Sequence, residues 1–163
     1  MKHIKTYTQK ELDDNLLKYS AKQASLQKVR ELITDGANVN CFDRIRYNTP
    51  LINASQQLNY STIKLLIENG ADINLVNKNN KNCIFYIVNQ NTYTYTKYKN
   101  KINNIIDLLI SSGINLNNKN KSDVDIFDNI QESNPFILQY IIDNYPEEYK
   151  EYLMKKTANK FNL

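Results

Sequence analysis

"KVRELITDGANVN" (28–40), "TIKLLIENGADIN" (62–74) and "NIIDLLISSGINLN" (104–117) are one pattern written three times. Aligned on Gly36, Gly70 and Gly113, each places an aliphatic residue seven positions before the glycine: Val29, Ile63 and Ile106. Leu32, Leu66 and Leu109 follow at minus four, and Ile33, Ile67 and Ile110 at minus three. Spacing of i, i+3, i+4 is one stripe of a helix facing a core. The glycine then falls just past the helix end, where a left-handed residue is needed and a Cβ is costly. Four residues after each glycine comes Asn40, Asn74 or Asn117, preceded by Val39, Ile73 or Leu116. A fourth copy, Ile137, Tyr140 and Ile141 before Asn144, has no glycine, and Asn144 is expected to take the left-handed position in its stead.

An earlier helix precedes each copy. "NTPLINASQQL" (48–58) reads as Thr49 capping, Pro50 at the first helical position, and Leu51 and Ala54 facing inward. Its counterparts are "DDNLLKYSAKQ" (13–23), "NCIFYIVNQ" (82–90) and "DIFDNIQES" (125–133). With "TPLI" at 49–52 and "LLIENGADIN" at 65–74, the chain resembles the ankyrin repeat family, whose unit is a turn and two helices of about 33 residues. The family's histidine after "TPL" is replaced by Ile52, and the other copies lack the tetrapeptide. The resemblance implies an all-α solenoid of four repeats, at 11–44, 45–78, 79–121 and 122–145. An N-terminal arm (1–10) precedes it, and a C-terminal capping helix and tail (146–163) follow. Pro146, Glu147 and Glu148 suit the start of that cap, with Tyr149, Leu153 and Phe161 packing it onto the fourth repeat and Lys155, Lys156 and Lys160 at its basic end.

Spacing isolates one anomaly. Gly36 and Gly70 stand 34 residues apart, but Gly70 and Gly113 stand 43 apart. The surplus contains "NTYTYTKYKN" (91–100), in which tyrosine and threonine alternate. Alternation and β propensity predict an extended finger or hairpin between the two helices of repeat 3, projecting to supplement the contact surface.

The 163 residues fit one domain with a real core, and the net charge of +4 mildly favours acidic partners. Heavy use of Asn, Lys, Ile and Tyr fits an AT-rich genome, such as that of a low-GC bacterium, a phage or a large DNA virus. No apolar run is long enough to span a bilayer, and "MKHIKTYTQKELDD" lacks a signal-peptide core. A cytoplasmic protein is expected, or one in the host-cell cytoplasm if it is a pathogen's effector. His3 is the sole histidine, and Cys41 and Cys83 form no metal-binding spacing, so both cysteines are expected to be buried and free. There is no phosphate loop, nucleophile–base pair or metal motif, and no cofactor is expected. Asp13 and Asp14, like Glu147 and Glu148, read as complements to helix dipoles.

The resemblance implies a non-catalytic protein-binding module, monomeric in isolation, that modulates or inhibits its partner through its repeat tips and first-helix faces, supplemented by the Tyr-rich loop. The alternative is an assembly subunit of a larger complex. Its repeat tips are "FDRIRYN" (42–48), "NKNNKN" (77–82) and "NKNKSDV" (118–124). Arg44, Arg46, Lys78, Lys81, Lys119 and Lys121 form a basic row there, with Tyr47 beside them, suited to an acidic protein surface. Tyr93, Tyr95, Lys97 and Tyr98 are the contact residues expected from the finger. The same charges could meet nucleic acid, which the small net charge disfavours.

Overall fold

The computed structural model describes residues 7–23 and 25–161, with side chains for all of these except 131, 132 and 159–161. His3, most of the N-terminal arm, and the side chains of Lys160 and Phe161 therefore lie outside the described part. Within it the chain forms helices α1 (Gln9–Ser20), α2 (Leu26–Thr34), α3 (Pro50–Gln56), α4 (Tyr60–Glu68), α5 (Cys83–Val88), α6 (Thr92–Ser111), α7 (Ile126–Ser133), α8 (Pro135–Asn144) and α9 (Pro146–Phe161). Among the described residues the extended pairing is limited to an isolated Lys119–Asp125 bridge. The first eight helices are four antiparallel pairs. First helices α1, α3, α5 and α7 pack in one row, second helices α2, α4, α6 and α8 in the other. The expected all-α solenoid is the fold.

The aliphatic stripe builds the core. Val29, Ile63, Ile106, Leu32, Leu66 and Leu109 are fully buried, while Ile33, Ile67 and Ile110 sit half-buried at its edge. The second helices α2, α4 and α6 each then end in a Schellman turn. Gly36 N–H donates to the Ile33 carbonyl and Ala37 N–H to that of Leu32, and the same two bonds recur at Gly70–Ala71 and Gly113–Ile114. The glycines have φ of 96°, 85° and 84°. A Cβ built on any of them meets nothing within 4 Å, so backbone conformation alone demands glycine there.

Asparagines four residues on tie one repeat to the next. The Asn40 amide donates to the Gly70 carbonyl (3.1 Å) and accepts from Asp72 N–H (2.8 Å). Asn74 does the same with Gly113 (3.4 Å) and Asn115 (2.7 Å). At the N-terminal end α1 supplies the equivalent partners: Gln9 donates to the Gly36 carbonyl, and Asp13 accepts from Asn38 N–H. Asp13 and Asp14 are thus mid-helix rather than at a helix start, because Thr8 and Glu11 form the capping box that begins α1 earlier. Asp13 completes the ladder; no dipole role remains for it.

The fourth helix pair departs from the pattern. Asn144 is still helical and is not left-handed, correcting the expectation that it replaces a glycine. Pro146 is the reason: the residue before a proline is driven towards extended backbone. Tyr145 has φ −136°, and the chain enters α9 directly. In the cap, Tyr149 and Tyr152 pack on Phe127, with ring centroids 5.4 and 4.5 Å away. Leu153 does not join them; it is 44% exposed, because one helical face can carry only one of the neighbouring Tyr152 and Leu153. Tyr152 hydroxyl and Lys156 both bind the Asp128 carboxylate, which that lysine holds below the usual range.

The Tyr-rich stretch is helical. α6 begins at Thr92, capped by the Asn91 side chain on Thr94 N–H (2.8 Å), and bends at Tyr98. Burial overrides the β propensity of threonine and tyrosine. Tyr95 is 4% exposed, stacks on Phe136 of α8 with centroids 6.4 Å apart, and donates its hydroxyl to Asn103. Covering such a ring is worth about 2 kcal/mol.

The ladder ranks its own asparagines. Replacing Asn40 by Ala should cost about 2 kcal/mol and Asn74 nearer 1 kcal/mol, the latter being more exposed and having one long bond. Asn117, whose side chain makes no hydrogen bond among the described residues, should cost less than about 0.5 kcal/mol. Urea unfolding of the three variants checks the order.

Candidate interaction surface

Three tip loops share one local design. In the first, the Asp43 carboxylate accepts from the N–H groups of Ile45, Arg46 and Asn48. Asn77 plays this part for Asn79 and Lys81, and Asn120 for Ser122 and Val124. A left-handed residue closes each loop: Tyr47 (φ 58°), Asn80 (φ 56°) and Asp123 (φ 59°). Asparagine and aspartate adopt this backbone readily, whereas for tyrosine it is strained. Neighbouring loops then zip together. Lys78 N–H donates to the Arg46 carbonyl (2.9 Å), Lys121 N–H to that of Asn79 (3.0 Å), and Asn118 to that of Asn80 (2.9 Å). The tips are a hydrogen-bonded edge, already ordered before any partner arrives.

Partial burial raises the Asp43 carboxyl, but the N–H groups of Arg46, Asn48, Ile45 and Tyr47 outweigh it and hold the group below the usual carboxylate range. Its charge is committed to shaping the loop. Arg44, Arg46, Lys78 and Lys121 are exposed, and no ion pair among the described residues uses them. Lys119 is paired with Asp123 at 3.0 Å, and Lys81 is half-buried with its ammonium 5.9 Å from the centre of the Phe85 ring. Free positive charge is therefore weighted towards the first two repeats. Lys78 also lies over the Tyr47 ring at 4.7 Å, and Phe42 approaches that ring at 6.2 Å.

Sequence reasoning passed over Ile45 and Phe42. Ile45 is 79% exposed between the two arginines, at the apex of the first tip. The signal was present: an aliphatic residue inside a predicted turn has no core to face. Of the four residues expected to make contacts from the finger, Tyr95 is buried in the fold and is withdrawn, while Tyr93, Lys97 and Tyr98 are exposed. They also do not adjoin the tips. Tips lie at the C-terminal ends of the second helices, and these three residues lie at the N-terminal end of α6.

Both cysteines and Asp128 are spent on structure. Cys41 and Cys83 are free and buried, and burial pushes both thiols up to about 12. Among the described residues no three His, Cys, Asp or Glu side chains gather so as to hold a metal. A depression of about 430 Å³ beside α9 has Asp128 at its wall, engaged by Tyr152 and Lys156. No described helix is long and apolar enough to cross a membrane.

Residues 17–120 match the family model for ankyrin repeats in three copies. The chain belongs to the ankyrin repeat family. A protein of Acanthamoeba polyphaga mimivirus, named as an ankyrin repeat protein, is 31% identical over 142 residues, covering 83% of this chain and 80% of that protein. The relative is viral, and a virus is among the sources that the composition admits. Ankyrin repeats generally mediate protein–protein contacts and are typically non-enzymatic, which agrees with a rigid, zipped edge.

Asp43 gives a pH test of the tip design. Its pKa is lower folded than unfolded, so its stabilisation is full above the unfolded value and is lost as pH falls through the folded one. Asp43→Ala should cost about 1–2 kcal/mol at neutral pH. The difference from wild type should shrink at about pH 3, below the usual aspartate range. Urea titrations at both pH values measure it.

Proposed function

We propose that this protein binds another protein through the tips of its first two repeats and thereby modulates or inhibits it, without catalysis. One observation carries the reading. Ile45 stands 79% exposed between Arg44 and Arg46, which no ion pair among the described residues uses, next to a tyrosine held in a strained backbone. None of the four serves the core. Strain is tolerated where the surrounding structure enforces it, and such outliers cluster at working sites. Left-handed backbone costs Tyr47 of order 1 kcal/mol, yet it places the ring beneath Lys78 and beside Phe42.

The partner's matching surface is acidic, with an apolar recess for Ile45. Arginine and tyrosine are enriched at binding hot spots, which sit in desolvated pockets ringed by contacts that exclude water. Charge complementarity speeds encounter and fixes orientation more than it adds affinity. Lys78 and Lys121 extend the basic edge, while Lys119, paired with Asp123, and half-buried Lys81 contribute less. The chain acts as a monomer in the cytoplasm of its cell or of its host.

Affinity capture from the native source, with mass spectrometry, tests this against Arg44→Glu/Arg46→Glu and, separately, Ile45→Asp. Circular dichroism first establishes that both variants keep the wild-type fold. A single stoichiometric partner should be retained by wild type and weakened at least roughly thirtyfold in each variant, about 2 kcal/mol. The purified partner should lose activity when the chain is added. Equal capture by all three proteins would place the contact elsewhere. A partner whose complex collapses without the chain, and whose activity the chain does not lower, would make it an assembly subunit.

A further inference from the structure

The second glycine interval exceeds the first by nine residues, and the surplus lengthens α6 into a 20-residue helix beside the 9-residue α4. The repeat does not need them, since its buried stripe from Ile102 to Leu109 is already complete. Tyr95 explains why the extra turns are ordered. It does not explain what they present. Tyr93 is 74% exposed, Tyr98, Lys97 and Lys99 are exposed, Lys101 is half-buried, and no Asp or Glu occurs from 92 to 106. Phe136, stacked beneath Tyr95, is itself 57% exposed, so it continues the aromatic surface onto α8. Tyr93 and Lys97 follow one another at i, i+4 before the bend at Tyr98, and Lys99 and Lys101 follow just after it.

Position separates this knob from the tips. At 1.5 Å per residue, α6 would carry Tyr93 roughly 25 Å from the Gly113 turn even allowing for the bend. An ordinary interface covers about 800 Å² per partner, a patch that reaches roughly 16 Å from its centre. A single compact partner seated on the Ile45 tip would not also cover the knob. We infer that the N-terminal half of α6 is a second, independent docking surface, which takes an acidic segment of another protein chain while the tips are occupied. The inference extends the protein-binding reading of the tips from one surface to two.

Charge and shape favour protein over nucleic acid. Single-strand binders combine a basic groove with free aromatic faces. Here the lysines surround an open depression on a single bent helix, lined by residues 96–101 alone, rather than a groove between elements that could track a strand. Lys97 lies over the Tyr98 ring at 5.1 Å, occupying a face that a base would need. Aromatic rings with few rotamers beside lysines suit a peptide whose acidic side chains alternate with apolar ones.

The test uses the full chain and a fluorescein-labelled peptide of glutamates interspersed with leucines, followed by anisotropy at physiological salt. An oligothymidylate of equal charge is the comparator. Arg44→Glu/Arg46→Glu protein should still bind the peptide, and adding Lys97→Glu/Lys99→Glu/Lys101→Glu should weaken that binding at least about tenfold. If the glutamates lower the melting temperature, the corresponding glutamine variant is used. Loss of all binding in the arginine variant alone would overturn the second surface and leave the tip reading standing. Indifference of the arginine variant's binding to the lysine changes would overturn it as well. Tighter binding of the oligothymidylate, with the same lysine dependence, would assign the knob to nucleic acid and sink the protein reading. If arginine reversal leaves wild-type affinity and stoichiometry unchanged while lysine reversal removes binding, the tip reading fails and the knob stands.

Discussion

The fold depends on a left-handed turn that no β-carbon can enter cheaply. Each second helix must stop, reverse and release its chain in the same direction, so that the next pair stacks in register. Glycine at 36, 70 and 113 permits this, and the paired Schellman bonds fix the geometry. Register then passes from repeat to repeat through Asn40 and Asn74, each bridging to the next glycine carbonyl and to the N–H two residues beyond it. The same short stretch thus ends a helix, closes a turn and aligns a neighbour. Burial of the aliphatic stripe supplies the driving force; these polar contacts decide which of many helix stackings receives it.

A stack with this logic has two unfinished ends, and the chain finishes them differently. At the start, Gln9 and Asp13 stand in for an asparagine and occupy the first rung from a helix. At the finish, no helix occupies the Asn117 rung in that way. A proline after Tyr145 turns the chain into α9 instead, and an aromatic cluster of Phe127, Tyr149 and Tyr152 seals the last pair. Polar closure suffices at one end because α1 is itself a repeat helix. The other end presents Phe127, and covering it takes rings.

How much of this could be read from the sequence follows from the range of each signal. The glycine register, the aliphatic stripe and the Thr49–Pro50 helix start are local patterns with one physical reading, and the structure contains them as read. Asn144 was misread because a residue's tolerance for left-handed backbone was weighed without the proline two positions on. Leu153 was misread because two adjacent residues competed for one face. The 91–100 stretch was misread for a subtler reason. Period-two alternation outvoted a weaker heptad signal, in which Tyr95, Ile102 and Leu109 recur seven apart and mark a single buried face. A partner for that face, Phe136, lies 41 residues away in sequence and is invisible to any local window.

Function divides along the same line as structure. Residues that hold the repeats together sit in the turns and ladders, where any change disturbs a neighbour. The apex of a tip loop carries no such duty, because Asp43 organises it through backbone N–H groups alone. Side chains at 44 to 47 are therefore free to be chosen for something outside the molecule. What they are is an aliphatic, two arginines and a strained tyrosine, a costly set for a solvated turn. The insertion in α6 has the same split, with Tyr95 securing it inward and Tyr93 and the lysines facing out. In both places one residue anchors the backbone and its neighbours are left unspent. In a protein whose cysteines are buried and whose Asp43 and Asp128 are engaged, those unspent side chains are where recognition can reside.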